Sequence, residues 1–108
     1  MKTRLEFKIA SEEWEFEQIN ELNYKTFVEE IPQHDRNNDR SLLDKFHTEN
    51  TYIICTRGNK LLGMMAVRDK RPFSLDFKLN DLNSYLPDHS FACEFRLLSI
   101  DQEVRNLR

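Results

Sequence analysis

The stretch CEFRLLSIDQEVRNLR, from Cys93 to Arg108, decides the fold. Its first part, Phe95 to Ile100, has the apolar content of a buried strand. A polar turn follows at Asp101 to Glu103, and then a basic end that contains Arg105 and Arg108. A strand that leads into a basic turn is typically followed by a helix whose N-terminus binds phosphate. These residues therefore predict a domain that is cut just before a phosphate-binding loop closes.

The composition predicts one globular domain over residues 1–108, since 39% of the side chains are hydrophobic and 32% are charged. No apolar run approaches the roughly 20 residues of a membrane helix. The N-terminus also lacks the apolar core of a signal peptide. Cys55 and Cys93 stand in apolar, strand-like runs, so we interpret them as small buried core residues rather than a disulfide. We therefore expect a cytoplasmic protein that does not contact a membrane.

Charge is distributed unevenly along the chain. Residues 1–50 contain 12 acidic and 7 basic side chains, whereas residues 51–108 contain 7 acidic and 9 basic ones. The acidic first half argues against a nucleic-acid partner. The mildly basic second half is compatible with a small anionic ligand. Two solvated faces of opposite sign explain the same distribution equally well.

Four segments have the apolar pattern of strands: residues 5–9, 51–56, 61–67 and 92–100. The first alternates apolar and polar side chains, which predicts a half-buried strand. A hairpin turn at Arg57 to Lys60 joins the second and third. The third is almost entirely apolar, which predicts a strand covered on both faces, and Gly63 within it marks a bulge or a close backbone approach.

Two helices are expected between the first and second strands. Ser11 is the N-cap candidate for the first helix. Apolar side chains recur at helical spacing from there to about Ile31, where this helix is expected to end. A polar loop follows, and then a second, short helix is predicted from Ser41 to about Asn50. Between the third and fourth strands lies a long excursion with a helical turn after Asn80. The predicted class is α+β, with the order β-α-α-β-β-β and a mixed, mainly antiparallel sheet.

This order and four stretches of sequence resemble the N-terminal half of the GNAT superfamily of N-acetyltransferases. The stretches are FVEEIPQ, LLDKFHTENTYII, GNKLLGMMAVRD and LLSIDQEVRN. The excursion RPFSLDFKLNDLNSYLP, followed by CEFRLLSI, is similar to the branch of acyl-homoserine-lactone synthases and long-chain N-acyl amino acid synthases. The resemblance covers essentially the whole chain and implies that the C-terminal half of the fold lies beyond it.

The resemblance implies an N-acyltransferase that moves an acyl group from acyl-CoA or an acyl carrier protein to a small-molecule amine such as an amino acid. Glu94 would be the base or amine-positioning carboxylate, with Arg96 on the same strand face. A structural ion pair between the two is the alternative. The donor would lie along the last strand, at Leu98, Ser99 and Ile100.

The GNAT phosphate-binding signature, Arg/Gln-x-x-Gly-x-Gly/Ala, follows this strand. Arg105 matches its first position and Asn106 a variable one, whereas Arg108 stands where the first glycine is expected. Those glycines let backbone N–H groups approach the pyrophosphate. The sequence therefore implies a donor site that is altered or incomplete in this chain.

The excursion supplies candidate substrate residues. Arg68 and Arg71 would contact an anionic substrate or carrier, and Phe73 and Phe77 would line an acyl-chain pocket. A solvated strand end and plain core packing are the respective alternatives. No spacing of ligand residues fits a metal template, so no metal is expected.

Two non-catalytic hypotheses are alternatives to the N-acyltransferase hypothesis. One is a GNAT-like half that serves as a regulatory or protein-interaction module. The other is a small α+β binding domain unrelated to acyl transfer. The last strand would have an edge without its usual partner, and such edges promote pairing with another chain. We therefore also expect a homodimer.

Overall fold

The computed structural model describes residues 4–88 and 90–105. Its sheet has four antiparallel strands in the order β1-β2-β3-β4. The strands are β1 Leu5–Ile9, β2 Thr51–Arg57, β3 Lys60–Arg68 and β4 Glu94–Ile100, and the α-helices are α1 Glu13–Tyr24 and α2 Gln102–Arg105. The predicted α+β class with a mainly antiparallel sheet is confirmed. So is the β2–β3 hairpin, in which Gly58 adopts a positive φ of 59°.

The first helix has the predicted length but two geometries. α1 ends at Tyr24, and the chain continues as a π-helix over Lys25–Glu30. The Ile31 backbone N–H closes this segment by donating to the Thr26 carbonyl oxygen at 2.7 Å. Pro32, which cannot donate a backbone hydrogen bond, follows the end of the helix.

The beginning of α1 lies one residue later than predicted, since Glu12 rather than Ser11 is the N-cap. The buried Glu15 carboxylate accepts the backbone N–H groups of Ser11 and Glu12, each at 2.9 Å, and pairs with Lys8 at 2.9 Å. Burial alone would raise the pKa of Glu15. The two backbone donors and Lys8 outweigh it and lower that pKa below its ordinary value.

The prediction of a second helix from Ser41 to about Asn50 is wrong. Only a single 3-10 turn, His47–Glu49, forms in that segment. The Asp44 carboxylate accepts the Phe46 backbone N–H at 3.2 Å and the Asn50 side-chain amide at 2.7 Å. These side-chain contacts compete with helical hydrogen bonding and fix an irregular turn instead. The observed order therefore differs from β-α-α-β-β-β at its third element.

The excursion contains two 3-10 helices, Ser74–Phe77 and Leu82–Tyr85. The second confirms the helical turn predicted after Asn80. Along residues 4–88 and 90–105, no helix combines the length and the hydropathy that a membrane-spanning segment requires.

One face of the sheet packs against α1, and we call it the covered face. Its strands contribute alternate residues, so that Ile54 of β2 lies opposite Met64 of β3, and Tyr52 opposite Ala66. The core formed there consists of Ala10, Ile19, Leu22, Tyr52, Ile54, Leu61, Met64 and Ala66, with Phe16 and Leu97 packed against it.

The other side of the sheet, which we call the open face, is apolar and exposed. Phe7 on β1 and Phe95 on β4 are 74% and 69% exposed. The prediction that β3 is covered on both faces is wrong, because Met65 and Val67 on this side are only half-buried. The predicted burial of Cys93 is also wrong: it is an exposed free thiol, and Cys55 is a half-buried one.

Candidate active site

A cleft of about 670 Å³ opens between α1 with its π-helical continuation, the irregular segment before β2, the 3-10 helix Ser74–Phe77 and the first half of β4. Its lining combines apolar side chains with a compact group of charges. The residues on its walls are Asn23, Phe27, Gln33, His34, Leu42, Leu43, Asp44, Lys45, Ser74, Leu75, Phe77, Lys78, Glu94, Phe95, Arg96 and Leu97. The cleft therefore brings together Glu94, Arg96 and Phe77 from the predicted site.

Arg96 is the centre of the charged group. Its guanidinium donates to both oxygens of Asp44, at 3.0 Å from Nε and 2.8 Å from Nη2. Its Nη1 donates to Glu94 Oε1 at 3.0 Å and also to the Ser74 hydroxyl. A bidentate arginine–carboxylate pair is strong and geometrically specific. Both side chains of the Arg96–Asp44 pair are more than nine-tenths buried.

The pKa values of this pair move in opposite directions. Burial raises the pKa of the Asp44 carboxyl, but hydrogen bonds from Arg96 and Asn50 outweigh it and lower that pKa below its ordinary value. The hydrogen bond to Asp44 raises the pKa of the Arg96 guanidinium. Both shifts favour the charged forms of Asp44 and Arg96.

Glu94 joins two elements. Its Oε1 accepts from Arg96, and its Oε2 accepts the Ser74 backbone N–H at 2.8 Å. It therefore ties the first 3-10 helix of the excursion to β4. Its pairing with Arg96 is the ion pair that the structural alternative predicted. Each carboxylate oxygen retains a lone pair that can accept a further hydrogen bond.

Phe46 links this group to the buried Arg68. The guanidinium carbons of Arg68 and Arg96 lie 3.8 Å and 4.7 Å from its ring centroid. Arg68 is 2% exposed, donates to the carbonyl oxygens of Lys70 and Pro72, and pairs with Glu49. The alternative interpretation of Arg68 as part of a solvated strand end is therefore wrong.

The other predicted substrate residues are spread over different environments. Phe73 is buried, as its core-packing alternative predicted, whereas Phe77 is exposed at the edge of the cleft beneath the Lys45 ammonium. Arg71 lies outside the cleft, where it pairs with Asp76 at the surface. The structure therefore does not gather Arg68, Arg71, Phe73 and Phe77 at one site.

Asn23 is a cleft residue that the sequence analysis missed. Its side chain is 1% exposed, and its Nδ2 donates to the Leu42 carbonyl oxygen at 3.4 Å. Among the described residues, nothing donates a hydrogen bond to its Oδ1. The available signal was its position four residues after Ile19, on the apolar stripe of α1, where an amide is unexpected. A buried acceptor without a partner is costly, so a donor that reached this oxygen would stabilise the fold.

β4 is an edge strand of the described sheet. Asp101 donates its N–H to the Leu62 carbonyl oxygen across the Gly63–Ile100 pair. Because antiparallel pairs alternate, the peptide groups of Ile100 and Leu98 point away from β3, toward the free edge. Ser99 instead faces the core, and its hydroxyl has no partner among the described residues.

A second cleft, of about 420 Å³, lies between the π-helix and the end of β4. Arg105, expected at the start of a phosphate loop, reaches its rim and pairs with Glu30. The charged part of the lining is mostly acidic, with four carboxylates and one lysine. The lining residues are Leu22, Lys25, Thr26, Glu29, Glu30, Ile100, Asp101, Gln102 and Glu103. These carboxylates oppose the entry of an anion. The predicted site residue Asn106, like Arg108, lies outside the described residues.

Comparison with protein-family models, with curated proteins and with solved structures found no match to this chain. Within residues 4–88 and 90–105, no group of three or more His, Cys, Asp or Glu side chains is arranged to hold a metal ion.

Proposed function

We propose that this chain is the N-terminal half of a GNAT-like N-acyltransferase, which transfers an acyl group from acyl-CoA or an acyl carrier protein to an amine. One observation carries the proposal: the 670 Å³ cleft runs along the first half of β4, whose free edge continues past it with unpaired peptide groups. An amine acceptor in the cleft and an extended donor along the edge would meet beside the same strand.

The reaction needs few protein groups. The amine nitrogen attacks the thioester carbonyl carbon, a C–N bond forms, the C–S bond breaks and the thiol leaves. The amine loses one proton, and the thiolate gains one. Positioning of the two reactants lowers the barrier by removing their freedom of motion, and a backbone donor at the carbonyl oxygen stabilises the developing charge.

Each role has a candidate in the chain. The Leu98 peptide N–H at the free edge is the donor toward the thioester or its amide tail. The remaining lone pairs of Glu94 and the Asn23 Oδ1 are acceptors for the amine. Arg96 positions Glu94 and does not face the substrate as a free cation, because its hydrogen bonds go to Asp44, Glu94 and Ser74.

Thermal unfolding with acetyl-CoA and with a long-chain acyl-CoA tests this proposal. A ligand at tenfold excess over its dissociation constant stabilises the native state by about 1.4 kcal/mol, which raises Tm by several degrees. Leu98→Pro removes the proposed N–H and should abolish the shift. Leu98→Ala keeps the N–H and is the matched control, which should retain it. The proposed enzyme function would be refuted if neither ligand raised Tm, both on this chain and on one extended by a C-terminal half.

A non-catalytic GNAT-like interaction module is the second candidate. The acidic lining of the 420 Å³ cleft and the Arg105–Glu30 pair favour it, since both oppose a pyrophosphate there. Isothermal titration with free coenzyme A separates the two candidates. Heat of binding that disappears in Leu98→Pro supports the enzyme, whereas no heat at millimolar ligand supports the module.

A further inference from the structure

The open face has the composition of a core, although it is exposed. Seven large apolar side chains that lie on it are 40–74% exposed: Leu5, Phe7, Ile9, Ile53, Phe95, Leu98 and Ile100. Their strand registers place them on one side of the sheet, since Phe7 lies opposite Cys55, Ile9 opposite Ile53 and Gly63 opposite Ile100. A sheet with one solvated face normally alternates apolar inward and polar outward.

β1 reverses that rule. Its polar side chain Lys8 points toward α1 and pairs with the buried Glu15, while Leu5, Phe7 and Ile9 point away from the helix. A large contiguous apolar surface left in water marks an interaction site. The sequence of β1 therefore indicates that the open face is buried in the working form of the protein.

The size of the open face matches a protein interface. At roughly 150–250 Å² for a fully exposed large side chain, the seven exposures amount to about 700 Å² of apolar surface. The largest apolar patch of an ordinary monomer is about 300–600 Å². One partner in a standard protein–protein interface contributes about 800 Å². The open face is thus large enough for a stable dimer.

The charges at its two ends are opposite. Arg57, at the hairpin end, lies across from Leu5 and is exposed. Asp69 follows the other end of β3 and borders the depression formed by Phe7, Ile9 and Ile53. Across the part of the chain that the structure describes, neither has an oppositely charged partner within 4.0 Å. Consider a two-fold axis that lies between two facing sheets and runs perpendicular to their strands. Such an axis would place Arg57 of each copy against Asp69 of the other.

We propose that the open face is the interface of a homodimer, in which two copies pack sheet on sheet with Arg57 of each against Asp69 of the other. Aligned sheets pack about 10 Å apart, which interdigitated Phe, Leu and Ile side chains fill. Of the seven apolar side chains of the open face, only Phe95 also borders the 670 Å³ cleft. The inference therefore does not rest on acyl transfer, and either can fail without the other.

Sedimentation equilibrium of the whole chain tests the proposal. At about 50 µM the wild-type protein should be a dimer, and Phe7→Asp or Phe95→Asp should weaken association about a hundredfold or more, because each dimer would bury two unpaired carboxylates. Phe91→Asp is the matched control. Phe91 is fully exposed but lies outside the open face, so this variant should dimerise like the wild type. A wild-type monomer at this concentration overturns the proposal, as does a dimer that persists in both face variants.

A charge reversal tests the two-fold arrangement itself. Arg57→Asp should weaken the dimer about tenfold, since two rim ion pairs become repulsive. The double variant Arg57→Asp, Asp69→Arg should restore the wild-type affinity. The proposed axis is overturned by an Arg57→Asp variant that dimerises like the wild type, or by a double variant that does not restore the affinity.

Cys55 provides a readout without any change to the interface. Its thiol lies on the open face, so in a Cys93→Ser background its alkylation rate should fall as the protein concentration rises. A rate independent of concentration up to about 100 µM overturns the dimer. Protection that appears only with anionic lipid vesicles, or only in a longer chain carrying its own covering segment, overturns it too and identifies another occupant.

Discussion

The two faces of one sheet follow the same periodicity and yet have opposite environments. Ile53 and Ile54 are adjacent in β2, but Ile54 is 1% exposed beneath α1 and Ile53 is 40% exposed on the open face. The covered face even accommodates charge, in the Arg96–Asp44–Glu94 group at its margin. The open face carries almost none between its ends. Burial in this molecule is therefore set by what packs against a face and not by how apolar that face is.

The largest expected difference between the faces comes from this isoleucine pair. Ile54→Ala should lower the free energy of unfolding by about 3 kcal/mol, because it leaves a cavity in the core. Ile53→Ala should cost about 1 kcal/mol or less when measured at low protein concentration. Urea unfolding followed by circular dichroism gives both values. Equal losses at every concentration would contradict the assignment of the faces.

A smaller effect is expected where the covered face holds charge. Asp44→Ala should destabilise the fold by about 2 kcal/mol, since it removes the bidentate partner of a buried arginine, which then retains only the Glu94 carboxylate and the Ser74 hydroxyl. Asp39→Ala, which removes an exposed carboxylate from the neighbouring loop, is the control and should stay within about 0.5 kcal/mol of the wild type. If the two substitutions cost the same, the Arg96–Asp44 pair is only a surface contact.

The smallest expected effect is the dependence on pH. The folded pKa values of Asp44 and Glu15 are lowered, so their contribution to stability is complete above the ordinary carboxyl range and is lost as pH falls through that range toward the folded values. Each group adds at most about 1.4 kcal/mol per pH unit to the slope. Chemical denaturation between pH 6 and pH 3, roughly the span in which carboxyl groups titrate, measures it. Asp44→Asn should make the curve shallower; an unchanged slope would show that Asp44 titrates as an exposed acid.

Much of the strand pattern could be predicted from local sequence. The four segments at residues 5–9, 51–56, 61–67 and 92–100 agree with the observed strands to within two residues at every end. The hairpin followed from Gly58, and the close backbone approach at Gly63 is confirmed, because a Cβ there would lie 3.3 Å from the Ser99 carbonyl oxygen. Local periodicity and turn chemistry are sufficient for such features.

The prediction of the second helix was wrong because of a contact that local sequence does not reveal. Residues 41–50 have a capping-box-like start and helical spacing, but Asp44 is held by Arg96, which lies 52 residues further along the chain. Separate hydrogen bonds from the same arginine brought Asp44 and Ser74 into the candidate site, where no spacing rule had placed them. Pairings between distant segments depend on the packed fold, and a one-dimensional pattern does not encode them.

The sequence by itself determined the strands, their connecting turn and the division of each strand into two sides, because side chains alternate with a period of two. Only the tertiary structure decided which side α1 would cover. For β1 it covered the polar side, which carries Lys8, and left Leu5, Phe7 and Ile9 open. Alternation defines two faces but contains no information about the direction from which a helix approaches. That choice depends on the summed packing of all four strands, and here the core of β2 and β3 outweighed the preference of β1.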